Sequence, residues 1–124
     1  MLAETRTEMI QMVDTLSDEE LDALPVGVIQ LDAKGTILKY NETESHLARE
    51  NAGEVVGKNF FNDVATCTRV QEFHGRFLEG VERRELNATF KYRFRFRDER
   101  VKDVTITMAY RPESETVWVF VERP

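Results

Sequence analysis

The sequence predicts an α+β domain whose elements run as two short helices, a pair of strands, a loosely helical stretch, an amphipathic helix and three more strands. Three observations carry this reading. Apolar residues recur at helical spacing near the N-terminus, Asp32 to Gly35 supply turn chemistry between two apolar runs, and residues 90–97 alternate strictly between aromatic and basic. A chain of 124 residues, 41% hydrophobic and with eight phenylalanines, has enough apolar mass for one compact domain with its own core.

Residues 5–15 place Met9, Ile10, Met12, Val13 and Leu16 near one helical face. Ser17 followed by Glu20 has capping-box spacing and predicts a second short helix carrying Leu21 and Leu24. Pro25 ends that segment. Val26, Val28, Ile29 and Leu31 then read as a strand that turns through Asp32 to Gly35 into Ile37 to Tyr40, a β-hairpin. From Asn41 to about Lys58 the pattern loosens into helical turns broken at Gly53 and Gly57, and Phe60 to Thr68 has no clear period. Irregular stretches of this kind often wrap ligands.

Residues 73–85 put Phe73, Phe77, Leu78 and Val81 on one helical face and Arg76, Glu79, Glu82, Arg83 and Arg84 largely on the other. Three strands follow, Ala88 to Arg97, Val101 to Tyr110 and Thr116 to Glu122. In the first of them Phe90, Tyr92, Phe94 and Phe96 face one side of the sheet and Lys91, Arg93, Arg95 and Arg97 the other. That basic stripe is expected to be either a solvated face or a surface beneath the N-terminal segment, where Glu4, Glu8, Asp14, Glu19 and Glu20 could pair with it.

Composition excludes several classes. A formal charge of −6 argues against a general nucleic-acid binder, which needs a clustered positive surface. A single cysteine, Cys67, forms no internal disulfide, and with only His46 and His74 it makes no standard zinc spacing. The N-terminus lacks a basic start followed by an apolar core, and no run of 18 apolar residues occurs, so no membrane contact and a cytoplasmic protein are expected.

Tyr40-Asn41, Gly57-Lys58-Asn59-Phe60-Phe61, Asp63-Val64-Ala65, Cys67-Thr68 and Trp118-Val119-Phe120-Val121, in this order of elements, resemble the photoactive yellow protein family from about Leu16 to Arg123. The resemblance implies a PAS fold: a five-stranded antiparallel sheet flanked by helices, with residues 1–25 as an N-terminal helical cap behind the sheet and residues 26–124 as the core. It also implies a blue-light photoreceptor, not an enzyme, with p-coumaric acid (4-hydroxycinnamic acid) bound as a thioester at Cys67. Tyr40 and Glu44 match the donors that hold the ligand's buried phenolate, and Ala48, Phe60, Phe94 and Phe96 match positions around it. After photoisomerisation Glu44 would give up its proton and the cap would loosen. The downstream signalling protein is unknown, and a monomer or weak dimer is expected.

Each residue also has a plainer reading. Free cysteine is usually a small buried hydrophobe, Glu44 three places after Asn41 could complete a capping box, and the aromatics are first of all core. The alternative for the whole chain is a PAS module that binds a ligand or partner without photochemistry, its basic stripe serving as the contact. An enzyme built on Cys67 with His74 or His46 as base lacks an evident orienting acid.

The sequence departs from the family in four places. Ala48 stands where a threonine supports the tyrosine. Glu50 stands where an arginine lids the pocket, leaving Arg49, one residue earlier, as the candidate cation if the helix end shifts. Thr66 replaces the proline before the cysteine. The loop from Arg97 to Lys102 lacks the methionine that assists re-isomerisation and is one residue longer, so slow dark recovery is expected.

Overall fold

The computed structural model describes residues 6–123. Helix α1, Arg6–Met12, runs into a tight turn at Val13–Thr15, and α2 spans Asp18–Asp22. The expected capping box starts α2: the Ser17 side chain accepts from the Glu20 amide at 3.1 Å, and the Glu20 carboxylate accepts from the Ser17 amide at 2.9 Å. Strands β1, Gly27–Asp32, and β2, Ile37–Tyr40, form the hairpin. Asp32 closes its turn by accepting from the amides of Lys34 and Thr36, each at 2.9 Å, and Gly35 takes the positive φ of 90° that the turn needs.

Helices α3, Glu42–Ala48, and α4, Ala52–Val55, are followed by wide and tight helical turns at Phe60–Val64, Thr66–Thr68 and Gln71–Gly75, which lead into α5, Arg76–Arg83. Strands β3, Asn87–Arg95, β4, Val101–Arg111, and β5, Thr116–Glu122, complete a five-stranded sheet in the order β2-β1-β5-β4-β3. Every neighbouring pair is antiparallel.

The strand period sorts the side chains into two cores. Ile29, Ile106, Met108, Val119 and Val121 face α3, α4 and α5 and join Phe60, Phe61, Phe73 and Phe77. Val28, Trp118 and Phe120 face the other way and are covered by Met9, Val13, Leu21 and Leu24 from the N-terminal helices. Polar ties accompany this contact. Asp14 accepts from Trp118 Nε1 at 2.7 Å and pairs with Arg111, Arg6 pairs with Glu122 at 2.8 Å, and Lys39 donates to Asp18 at 3.0 Å.

Two expectations need correction. Leu78 is 53% exposed, because the buried stripe of α5 runs through Phe77 and Gly80, whose bare backbone packs against Leu86. The basic stripe does not lie beneath the N-terminal helices, which sit over β1 and β5 instead of the edge strand β3. Arg93 pairs with Asp103, Arg95 with Glu99 and Arg97 with Glu50. Asp14 and Glu20 have the partners given above, and Glu4 lies outside the described residues. Among the described residues no helix is long and apolar enough to cross a membrane.

Candidate functional site

Tyr40 ends β2, and Asn41 after it caps α3. The Asn41 carbonyl accepts from the amides of Glu44 at 3.0 Å and Val28 at 2.9 Å, and its amide donates to Leu21 O at 2.8 Å and Val26 O at 3.0 Å. All four hydrogen-bonding positions of this side chain are used. It therefore joins the start of α3, strand β1 and the N-terminal segment at one point.

Asn41 is the cap that the sequence suggests, but Glu44 does not complete a capping box. Its side chain turns inward, is 1% exposed, and leaves Oε1 buried without a partner. Burial pushes its carboxyl up to about 8, with Arg123 working against that rise. Glu44 therefore carries a proton at neutral pH. Gly27 makes room for it, since a Cβ there would overlap Glu44 Oε1 and lie 3.1 Å from its Cδ. The need for glycine at position 27 is not visible from local sequence.

Tyr40, Glu44, Ala48, Phe60, Phe94 and Phe96 all line one small cavity of ≈ 10 Å³, so the fold brings together every predicted pocket residue except the cysteine. Glu44 and Ala48 meet there because they lie one helical turn apart. Burial, reinforced by Glu44, raises the Tyr40 phenol well above its ordinary value. Two charged residues also line the cavity, Glu50 and Arg97. Arg97 grips Glu50 with two bonds of 2.6 Å and donates to Asp63 O at 3.3 Å. Arg49, the cation considered from sequence, instead ends α3 in a left-handed conformation with φ 55° and faces Asp98 at 3.6 Å. Pairing in β3 stops at Arg95, so Arg97 lies past the last ladder residue, and although exposed it lines the cavity together with Phe94 and Phe96.

Cys67 occupies the Thr66–Thr68 turn, which the Thr68 hydroxyl pins to Ala65 O at 2.6 Å without help from a proline. Its sulfur accepts from the Arg95 amide at 3.4 Å, and Tyr92 donates to its carbonyl at 2.5 Å. Burial raises the thiol's pKa, while the Arg95 amide works against that rise. Cys67 opens on a neighbouring cleft of ≈ 470 Å³ that shares Val64, Phe96 and Arg97 with the small cavity. Those three side chains are the wall between sulfur and carboxyl. Arg100 braces that wall, with its guanidinium 4.8 Å above the Phe96 ring and a bond of 3.1 Å to Leu47 O at the end of α3. Neither histidine engages the sulfur: His74 stacks on Phe61 at 4.2 Å and His46 faces Glu42 at 3.7 Å.

A buried acid with an unpartnered oxygen, a phenol, aromatic side chains and, in the adjoining cleft, a thiol thus stand together in one region of the fold. Comparisons with known proteins bear on the family. The family model described as PAS fold matches residues 16–123. The chain is 44% identical over 108 residues to the photoactive yellow protein of Rhodothalassium salexigens, covering 87% of this chain and 86% of that one. It is 40% identical to that of Cereibacter sphaeroides over 105 residues, 85% of this chain and 84% of the other. Among solved structures, the photoactive yellow protein domain of the sensor histidine kinase Ppr from Rhodospirillum centenum superposes with TM-score 0.85 at 40% identity, covering 91% of this chain and 98% of that one. The PAS domain of an HTR-like protein from Haloarcula marismortui, at 19% identity and TM-score 0.65 over 91% of this chain and 97% of that one, shares the fold. The chain belongs to the photoactive yellow protein family of PAS-domain photoreceptors.

Proposed function

We propose that this protein is a blue-light receptor: Cys67 carries p-coumaric acid as a thioester, Glu44 yields its proton to the phenolate after illumination, and residues 1–25 loosen from the core at 26–124 to signal. The observation that carries this reading is Glu44, a fully buried carboxyl with an unpartnered oxygen in the same cavity as Tyr40, its pKa raised by burial. Such an atom is costly unless a hydrogen-bonding group meets it, and a ligand's phenolate is a group that would.

Loading is a thiol–thioester exchange. Cys67 Sγ, as thiolate, bonds to the carbonyl carbon of an activated coumaroyl donor, the bond to the donor's leaving sulfur breaks, and the proton released by Cys67 ends on that sulfur. Bound there, the group supplies light absorption and an isomerisable double bond. Tyr40 and Glu44 are the donors for its phenolate, and Phe60, Phe94 and Phe96 keep water out.

The consequence for the protein starts at Glu44. Once it loses its proton, the carboxylate is left fully buried with Oε1 lacking a hydrogen-bond partner, at a cost of several kcal/mol. The whole stability of a domain is about 5–15 kcal/mol, so local opening relieves a large share of the strain. Asn41 ties the Glu44 amide to Leu21 O and Val26 O, which couples the N-terminal segment to movement of α3. Their departure would uncover Val28, Trp118 and Phe120 for a signalling protein. The Arg97–Lys102 loop has Asp98, Glu99 and Arg100 and no methionine, so dark recovery is expected to be slow.

The light-minus-dark infrared difference of the loaded protein tests the reading. Loss of a protonated-carboxyl C=O band in the native chain, absent from Glu44→Gln, together with faster amide exchange in residues 6–25, is the expected result. An unchanged carboxyl band, or undiminished amide protection there, would sink it.

A further inference from the structure

We infer that the Arg97–Glu50 ion pair is a charged gate on this cavity, controlling entry to it and the ionisation of a phenol held between Tyr40 and Glu44. The inference rests on the phenolate-site reading above. Arg97 belongs to both the small cavity and the cleft of Cys67, so a group attached to the sulfur cannot reach Tyr40 and Glu44 unless Arg97 and its neighbours Val64 and Phe96 give way. Its guanidinium ties the chain just past β3 to two other elements, Glu50 just past α3 and Asp63 O in the Phe60–Val64 turn. The Glu50 side chain is 12% exposed and that of Arg97 45%, which places the pair at the mouth, with its anion inward and its cation outward.

The pair is also the charge balance of the site. Tyr40 and Glu44 are neutral at neutral pH because burial raises both. Glu50 and Arg97 are then the charges on the cavity wall, one of each sign. Behind Phe96, Arg100 is offset by Asp98 at 2.7 Å, and Asp98 also faces Arg49. Removing Arg97 would leave the Glu50 carboxylate facing a phenolate and disfavour it, whereas removing the charge of Glu50 would free Arg97 to stabilise it. Simple loosening of the fold by either substitution would move the phenol in one direction only. The opposed signs therefore distinguish a charged gate from a structural strap.

The first arm uses the protein loaded through Cys67 with p-coumaroyl thioester, with the dark phenol pKa read from its absorption. Arg97→Gln should raise that pKa by about one unit and Glu50→Gln should lower it by a similar amount, with the double variant close to the native chain. Shifts of the same sign, or none, in variants that do load would overturn the gate while leaving the receptor reading intact. A native chain that takes no coumaroyl group would overturn the receptor reading and this inference together.

The second arm needs no ligand. In Cys67→Ala/Ala48→Cys apoprotein, labelling of the new thiol by a small thiol reagent reports opening of the cavity. Arg97→Gln should speed it about three- to fivefold, and high salt should do the same only while Arg97 is present. Equal rates with and without Arg97, in proteins of unchanged circular dichroism, would contradict gating.

Discussion

Replacing Glu44 with glutamine tests the physics of the site without any ligand. The carboxyl is fully buried and raised by desolvation from 4.5 to about 8. Below pH 4.5 the folded and unfolded chains both hold this proton and the site contributes no pH dependence. Between 4.5 and about 8 the unfolded chain ionises there while the folded chain does not, so the folded state binds more protons and stability falls as pH rises. Above about 8 both forms are ionised and the loss levels off. A shift of this size corresponds to a loss on the order of 3–5 kcal/mol across the window. The glutamine side chain has nearly the same shape and no proton to lose, so the stability of Glu44→Gln should lack this slope. Urea unfolding of the two apoproteins at intervals from about pH 5 to 9 measures the difference. The carboxylates held low by their partners, Asp98, Asp103 and Glu20, contribute equally to both proteins and cancel. The variant should gain on the native chain steadily as pH rises. Two parallel curves would refute the claim that Glu44 is buried as a neutral acid.

Three more outcomes follow from the contacts around Glu44 and the N-terminal helices. Gly27→Ala puts a methyl group onto Glu44 Oε1 and should cost about 1–3 kcal/mol in urea unfolding, while lowering the Glu44 pKa as the side chain is pushed toward solvent; a neutral substitution would show that the contact is not tight. Asn41→Ala removes four hydrogen bonds, one of them the α3 cap and two of them to Leu21 O and Val26 O, and should cost at least about 2 kcal/mol and raise amide exchange in residues 17–26 more than in β4 and β5. Uniform exchange changes would count against that local role. Asp14→Ala strands the Trp118 indole N–H and takes from Arg111 its carboxylate partner, leaving its bond to Ile10 O, so Trp118 fluorescence should shift toward that of a wetter indole, with about 1–3 kcal/mol lost from the packing of the N-terminal helices; an unchanged spectrum would mean that Asp14 is not a tie.

The fold was legible wherever local chemistry and burial agree. Ser17 and Glu20 form their box, Asp32 and Gly35 make their turn, and β5 runs from Thr116 to Glu122 as its apolar run suggests. Leu78 misled because helical periodicity cannot tell an apolar side chain from a glycine as the residue that lets α5 approach its neighbour. The basic stripe misled for a different reason. Alternation tells which face a residue occupies but not which part of that face a distant helix covers, and the N-terminal helices cover β1 and β5 while β3 stays at the edge. At the site, Tyr40, Glu44, Ala48, Phe60, Phe94 and Phe96 were recoverable from motif resemblance, and the structure puts them around one cavity. Arg97 was not, because its place at the cavity depends on Glu50 and Asp63, which belong to other elements. Gly27 was not, because its role depends on the side chain of Glu44, which belongs to another element.

The most direct measurement is the intact mass and visible absorption of purified apoprotein mixed with activated p-coumaric acid, beside Cys67→Ala, in darkness and under blue light. A mass gain of one coumaroyl group that depends on Cys67, with a red-shifted band that bleaches under light and returns slowly in the dark, is the predicted result. No adduct, or an adduct whose band light leaves unchanged, would contradict the account.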